Sequence, residues 1–457
     1  MKFNTIEELL NYTEAIKGKT FKEFDEDDIL GDRTSLVGGR GDLGKLVETG
    51  FYKYPNNNIS KADFDNIGVE LKVTGYKKNK NGTISAKERV SLNQINFNEI
   101  VEEDYEGSHL ISKNQKILFI WYVYEKGKMV KDFVITHYQL FDMDTDKEIF
   151  KNDFYTIQEK VLKGHAEDLS EGDTTYLGAC RKGADGSSTT TQPNSDVLAP
   201  TRAFSLKQKY MTWILRDGFE DHKQTTLTFE TRYKTAEDYI YDKIEPYLGQ
   251  TQVEIYEKLT GVTFERGKIV RYDINKQIAN ILIGKDEELE EKNDLFKKSS
   301  FIIKNLPLLC TGYPKERMTF RTMSKEDFVD DWEDSDWKKY FEETTLLVIC
   351  YKQPTKEKTK NGYRVLDGVK RISFNDDDLE SIEKSYNMIK ETIEKEDLNL
   401  LPKPKSFDGQ IIEIAPKRSK GKNTYDLFLE KDKVISFALT KEFLNEKLYL
   451  WKEKWWK

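Results

Sequence analysis

Histidine and cysteine are scarce in this 457-residue chain, with four of the first and three of the second. Cys180, Cys310 and Cys350 are odd in number, scattered and without metal-ligand spacing, so neither a disulfide framework nor a zinc site is implied. The four dispersed histidines leave little material for a histidine-based hydrolase. Long apolar runs are also missing, and nothing approaches the ~20 residues that span a bilayer. The opening MKFNTIEELLNYTEAIKG alternates charged with apolar residues where a secretory leader would carry an apolar core. A cytoplasmic protein without membrane partners is expected. Positive charge is not in excess: 73 Lys and Arg stand against 81 Asp and Glu, a net charge of −8, which excludes a polycation that coats nucleic acid indiscriminately. A basic cleft remains open to the chain, because acidic segments such as EFDEDD, KDEELEEKND and KEDFVDDWEDSDW carry the surplus.

What is present begins with length. A chain of 457 residues exceeds the size at which one core keeps growing, so two domains are expected. The stretch DFDNIGVELK, Asp63 to Lys72, then stands out. Ile67, Val69, Leu71 and Val73 alternate with Gly68, Glu70 and Lys72, which is strand periodicity, so Glu70 and Lys72 share the face opposite the buried one. Asp63, in the preceding turn, reaches back to that face. Two carboxylates at one point are costly unless a hard cation lies between them, and Mg²⁺ is held by one or two carboxylates with phosphate and water filling the rest. Lys72 would orient the attacking water and neutralise charge on a phosphate. The competing reading is plain: charged residues on a half-buried strand face solvent, and in a chain that is 34% charged such spacing arises by chance.

Along the chain, residues 5–17 read as an amphipathic helix ended by Gly18, and LGKLVETGFY reads as helical and carries Glu48. The RGD within GGRGDLG is a chance tripeptide. YKKNKNGTISAKERV contains an Asn-Gly turn and reads as a hairpin with a basic tip, suited to phosphate or simply solvated. SHLISKNQKILFIWYVYE leads into an apolar strand, Ile117 to Tyr124, whose aromatics read as sheet core, with Lys113 just before it as a second cation for the acidic face. Asp146 to His165 reads as a helix. TTYLGACRKGADGSSTTTQPNSD passes from a short strand into a long polar loop with Arg181 and Lys182 at its root. That loop suits insertion into a DNA groove, where Arg and Lys bond guanine edges, or is a surface connection. TRAFSLKQKYMTWILRDG then gives a strand and a helix.

The second half echoes the first at an interval of about 230 residues. AIKGKTFKEF matches PYLGQTQVEI, setting Gly18 against Gly249; IGVELKV matches SSFIIKN, setting Lys72 against Lys304; ILFIWYV matches LLVICYK. YLGACRKGAD matches IIEIAPKRSK, setting Lys182 against Lys417, and AFSLKQKY matches SFALTKEF, setting Phe204 against Phe437. Glu70 becomes Ile302 and Asp63 becomes Leu295, and an apolar pair cannot bind magnesium. The second copy is therefore expected to keep the fold and a basic loop, with Lys417, Arg418, Lys420 and Lys422, without catalysis.

RGDLGKLVE, DFDNIGVELK, SHLISK, YLGACRKGAD with the nearby LSEG, and RAFSLKQKYMT, in that order, resemble the MutH and Sau3AI family of nucleases. The resemblance implies the PD-(D/E)xK nuclease fold and, over the whole chain, the two-module type: α/β, two tandem restriction-endonuclease-like modules, each a central mixed sheet flanked by helices, the second inactive. Residues 1–228 would be the catalytic domain and 229–457 a pseudo-nuclease domain, joined near 220–238. The resemblance puts metal-binding carboxylates at Asp63 and Glu70, a further active-site carboxylate at Glu48 and catalytic lysines at Lys72 and Lys113. It implies Mg²⁺ and double-stranded DNA containing GATC, with Lys182 on the loop that reads the site, Arg181 adjacent to it and Arg40 on a DNA-contacting basic position; Ser205 and Lys207, and Lys417 and Arg418 in the second module, are the further DNA contacts expected. Two departures bear on specificity. The family arginine two residues before the loop lysine is Cys180 here, and a tyrosine that reads the site is Ser205, which puts the response to adenine methylation in doubt. A bacterial restriction endonuclease is the first expectation, a monomer or DNA-induced dimer. A repair nickase and a DNA-binding protein without catalysis are the alternatives. The second module either binds a second site or only supports the first.

Overall fold

The structure, a computed structural model, describes residues 2–35, 41–54, 61–182, 188–219, 235–265, 270–285, 294–357, 359–417, 424–430 and 433–455. The chain divides into two compact units, Met1–Leu227 and Thr228–Lys457. No helix among the described residues is long and apolar enough to cross a membrane.

The first unit contains β1 (Val69–Lys78), β2 (Ile84–Ala86), β3 (Val90–Gln94), β4 (Lys116–Val123), β5 (Ile135–Asp142), β6 (Leu177–Arg181), β7 (Thr189–Gln192), β8 (Ser195–Pro200) and β9 (Arg202–Leu206). A mixed sheet runs in the order β2-β1-β4-β5, with β1 and β4 parallel and the outer pairs antiparallel. β4 is buried from Ile117 to Tyr122, which is why its sequence is a continuous apolar run instead of an alternation. β1 and β2 form the expected hairpin, turning at Gly82 with φ +84°. The expected helices are present at Ile6–Thr13, Lys147–Leu162 and Gln208–Phe219. Thr5 caps the first by accepting the Glu8 N–H, and Gly18, at φ +80°, ends the turn that follows it. A second, antiparallel sheet has the order β3-β9-β6. The polar stretch after Lys182 is not wholly a loop: residues 189–200 form the hairpin β7–β8.

The second unit contains β10 (Phe301–Leu308), β11 (Met318–Thr322), β12 (Thr345–Lys352), β13 (Val365–Ile372), β14 (Ile412–Pro416) and β15 (Ile435–Leu439). Its sheets run β10-β12-β13 and β11-β15-β14. Registers repeat between units. Glu70 pairs with Ile117 as Ile302 pairs with Leu346, and Ala179 pairs with Phe204 as Ile414 pairs with Phe437. The β4–β5 ladder has an irregularity at Trp121/Tyr122, and the β12–β13 ladder has one at Cys350/Tyr351. Gly18 donates to the Ile135 carbonyl as Gly249 donates to that of Leu366.

Candidate active site

Val69 and Leu71 of β1 point into a core with Phe3, Phe51, Tyr52 and Phe64, so period-two alternation turns Glu70 and Lys72 the other way. Phe64 and Val69 exchange backbone hydrogen bonds across a short loop containing Gly68, at φ +66°, and this folds Asp63 back beside the strand. The Leu71 N–H donates to Asp63 Oδ2 at 2.9 Å, and the Asp63 N–H donates to Glu70 Oε2 at 3.3 Å. On the other oxygen, Glu70 Oε1 receives Lys72 Nζ at 2.8 Å and lies 3.6 Å from Lys113 Nζ. Lys113 is delivered by the helix His109–Asn114, whose N-cap Ser108 accepts the Ile111 N–H. Glu70 is not on an open face, as the alternation alone implied; it is 2% exposed, because the elements that bring its partners also cover it.

Glu48 lies on a π turn, Val47–Phe51, that continues the helix Asp42–Leu46. The turn packs so closely on Phe24 that a Cβ at Gly50 would stand 2.6 Å from the Phe24 carbonyl oxygen. Burial, then the charges of Asp63 and Glu70, push the Glu48 carboxyl up to about 7 against the pull of Lys72 and Lys113. Burial and then Glu70 push Asp63 up to about 6. Three carboxylates and two amines thus share one half-buried place, and Glu48 and Asp63 hold protons more tightly than free carboxylates do. Such an all-oxygen, acid-rich donor set suits a hard divalent cation, which would relieve the repulsion. Tighter groups of potential ligands occur elsewhere among the described residues, at Glu99, Glu103 and His109 and at His165, Glu167 and Asp168. Both lie largely at the surface, and in the first His109 Nδ1 is already 2.5 Å from Glu103.

The other expected contacts scatter. Arg40 and Arg418 lie outside the described residues. Arg181 is exposed at the end of β6, and the Lys182 N–H is fixed on the Thr201 carbonyl at 2.8 Å. Lys417 is exposed in the second unit, its N–H on Val434 and its Nζ on Thr319 Oγ1 at 2.8 Å. Ser205 and Lys207, expected as DNA contacts, do not lie at the surface. Both are buried, at 0% and 2% exposure; Ser205 donates to Glu171 at 2.9 Å, and Lys207 donates to the Thr174 carbonyl at 2.5 Å.

Two carboxylates went unnoticed as individual residues. Asp153, buried on its helix, accepts the N–H groups of Thr175, Tyr176 and Leu177 at 2.7, 2.7 and 3.0 Å, tethering the root of β6. Its signal was an acid at a core position between Phe150 and Ile157. Glu171 fills the space left by Gly178, where a Cβ would meet its Oε2 at 1.8 Å.

A family model described as the DNA mismatch repair enzyme MutH matches residues 52–153, a span that holds Asp63, Glu70, Lys72 and Lys113. Over 397 residues the chain is 34% identical to the type II restriction enzyme Sau3AI of Staphylococcus aureus, covering 82% of this chain and 78% of that protein. With the acid and lysine constellation inside the matched span, and the likeness running through both units, the chain belongs to the MutH and Sau3AI family of site-specific endonucleases.

Proposed function

We propose that the protein is a type II restriction endonuclease that hydrolyses phosphodiester bonds of double-stranded DNA at GATC with Mg²⁺. The observation that carries this reading is the convergence of Asp63 and both lysines on Glu70. Asp63 and Glu70 would hold the ion, which supplies Lewis acidity toward phosphate and water. Lys72 and Lys113 orient the nucleophile and stabilise negative charge developing on the phosphate. Glu48, titrating near neutrality, is placed to take or return a proton in this group. Arg181 and Lys182 read base edges at the end of β6, and other lysines hold the backbone, making affinity salt-dependent. In the second unit Leu295 is buried and Ile302 packs against apolar core, which leaves no acid pair for a cation there, and the basic residues that remain support binding of a second site without cutting.

The Glu70→Ala variant is expected to bind a GATC duplex near the wild-type level in Ca²⁺ and to lose cleavage by about a thousandfold or more in Mg²⁺. Retained cutting would remove Glu70 from the chemistry. Running unmethylated plasmid in the same assay separates the two family activities, since a restriction enzyme yields linear product and a strand nickase stops at open circles.

A further inference from the structure

The β1–β2 hairpin and its counterpart in the second unit form a comparison within one chain. In each, a tight turn is closed in the same way. The Asn79 N–H donates to Thr83 O and Gly82 N–H to Asn79 O, at 2.8 and 3.0 Å; the Leu309 N–H donates to Tyr313 O and Gly312 N–H to Leu309 O, at 2.8 and 2.9 Å. The glycines share a left-handed conformation, with φ +84° and +87°. Strand lengths differ. Tyr76 and Leu308 are equivalent, for each carbonyl accepts the N–H at the end of the neighbouring strand, from Tyr124 and Gln353. Leu308 enters its turn directly and pairs with Pro314, whereas after Tyr76, paired with Ala86, come two further rungs, Lys77 with Ser85 and Lys78 with Ile84. The inserted pair is Lys-Lys, and at the tip Lys80 stands where the second unit has Cys310. Lys78 and Lys80 are exposed.

A lysine-rich edge also guards a sheet against aggregation. The second unit argues that this is not the whole reason, because its hairpin has the same turn with nothing answering Lys77 and Lys78 and with Cys310 in place of Lys80. The unit with the acids has the longer, basic hairpin; the unit without them has neither. β1 carries both features, and alternation sets Lys78 on the face of Glu70 and Lys72, about 26 Å along the strand from Glu70, with Lys77 on the other face of the hairpin. That reach exceeds the roughly 14 Å of a four-base-pair site.

We propose that Lys77, Lys78 and Lys80 form a backbone clamp of the cutting unit that grips DNA phosphates outside the recognition sequence. This rests on the reading of the protein as a GATC endonuclease. The clamp contributes affinity without sequence preference, and it positions the duplex along β1.

The test uses the full chain, Ca²⁺ and two GATC duplexes, one of 30 base pairs and one with two flanking pairs on each side. The triple variant K77Q/K78Q/K80Q is expected to lose about tenfold or more in affinity for the long duplex at 0.15 M salt, and its slope of log affinity against log salt should be shallower by roughly 2 to 3. On the short duplex it should match wild type. K77R/K78R/K80R should restore affinity and slope, and unchanged melting temperatures separate lost contact from lost fold. Equal affinity and slope on the long duplex, or equal losses on both duplexes, would overturn the clamp while leaving the endonuclease reading intact. Wild-type protein that binds neither duplex would overturn both.

Discussion

At the candidate active site the carboxylates crowded around Glu70 repel one another. Glu48 and Asp63 titrate near 7 and 6 when folded, well above the ordinary carboxylate range. The folded chain therefore binds protons that the unfolded chain releases. The resulting stabilisation is complete below about pH 4 and is lost as the pH climbs through 6 to 7. Without divalent ions, melting temperature should decline from pH 5.5 to pH 8, and Glu48→Gln should remove part of that decline. Discounted for the partial exposure of Glu48, the difference is on the order of 1 kcal/mol, or about 2–4 °C. Calorimetry in chelator at the two pH values measures it, and an undiminished decline in the variant would contradict the assigned repulsion. Spacing made Asp63, Glu70 and Lys72 legible because a strand's alternation is a short-range rule. The burial of Glu70, and that of Ser205 and Lys207, was not legible, since it depends on which distant elements lie over each face.

Elements with strong local signals were read well, and those without were missed. β4 announces itself by its apolar run, and the β1–β2 hairpin by Asn81-Gly82. β7 is Thr-Thr-Thr-Gln and β8 is Ser-Asp-Val-Leu-Ala-Pro, one wholly polar and the other an unalternated apolar run ending in proline, so the hairpin was invisible until its pairing was seen. The π turn at Glu48 likewise leaves no mark in periodicity. One contact between elements has a pH consequence. On β5, His137 stacks on Trp121 with ring centres 5.9 Å apart and meets Phe219, at the end of the helix Gln208–Phe219, at 3.9 Å. Burial, with a smaller push from Lys17, drives its imidazole down to about 4. The unfolded chain takes up that proton near pH 6.5, so the stability contributed is whole above 6.5 and falls as the pH drops toward 4. Between pH 7 and pH 5 this contribution falls by about 2 kcal/mol, against the opposing gain from Glu48 and Asp63 over the same range. In urea unfolding at the two pH values His137→Phe, which keeps a ring in the stack, should therefore gain most of that amount relative to wild type at pH 5. A variant with the same pH dependence as wild type would remove His137 from the balance.

For the whole molecule, repetition preserved shape and discarded charge selectively. The ladders of the two units share registers and a common irregularity, while Asp63 and Glu70 are answered by Leu295 and Ile302. The repeat was legible because backbone constraints, such as the glycines at 18 and 249, fix residues at constant intervals; what the second unit does was not, because lost acids exclude a chemistry without naming another. Its remaining cations are informative. Lys304 donates to the Thr319 carbonyl at 3.1 Å, and Lys417 donates to the hydroxyl of the same residue at 2.8 Å, so two amines meet on one threonine of β11. If that unit engages a second site, tethering two sites on one DNA raises their effective concentration, and a two-site plasmid should be cut faster than a one-site plasmid by about tenfold. Short GATC duplex added in trans should accelerate the one-site reaction. Lys417→Gln should erase the advantage while leaving one-site cutting unchanged. Equal initial rates on the two plasmids, measured at the same site concentration, would reduce the second unit to a support for the first.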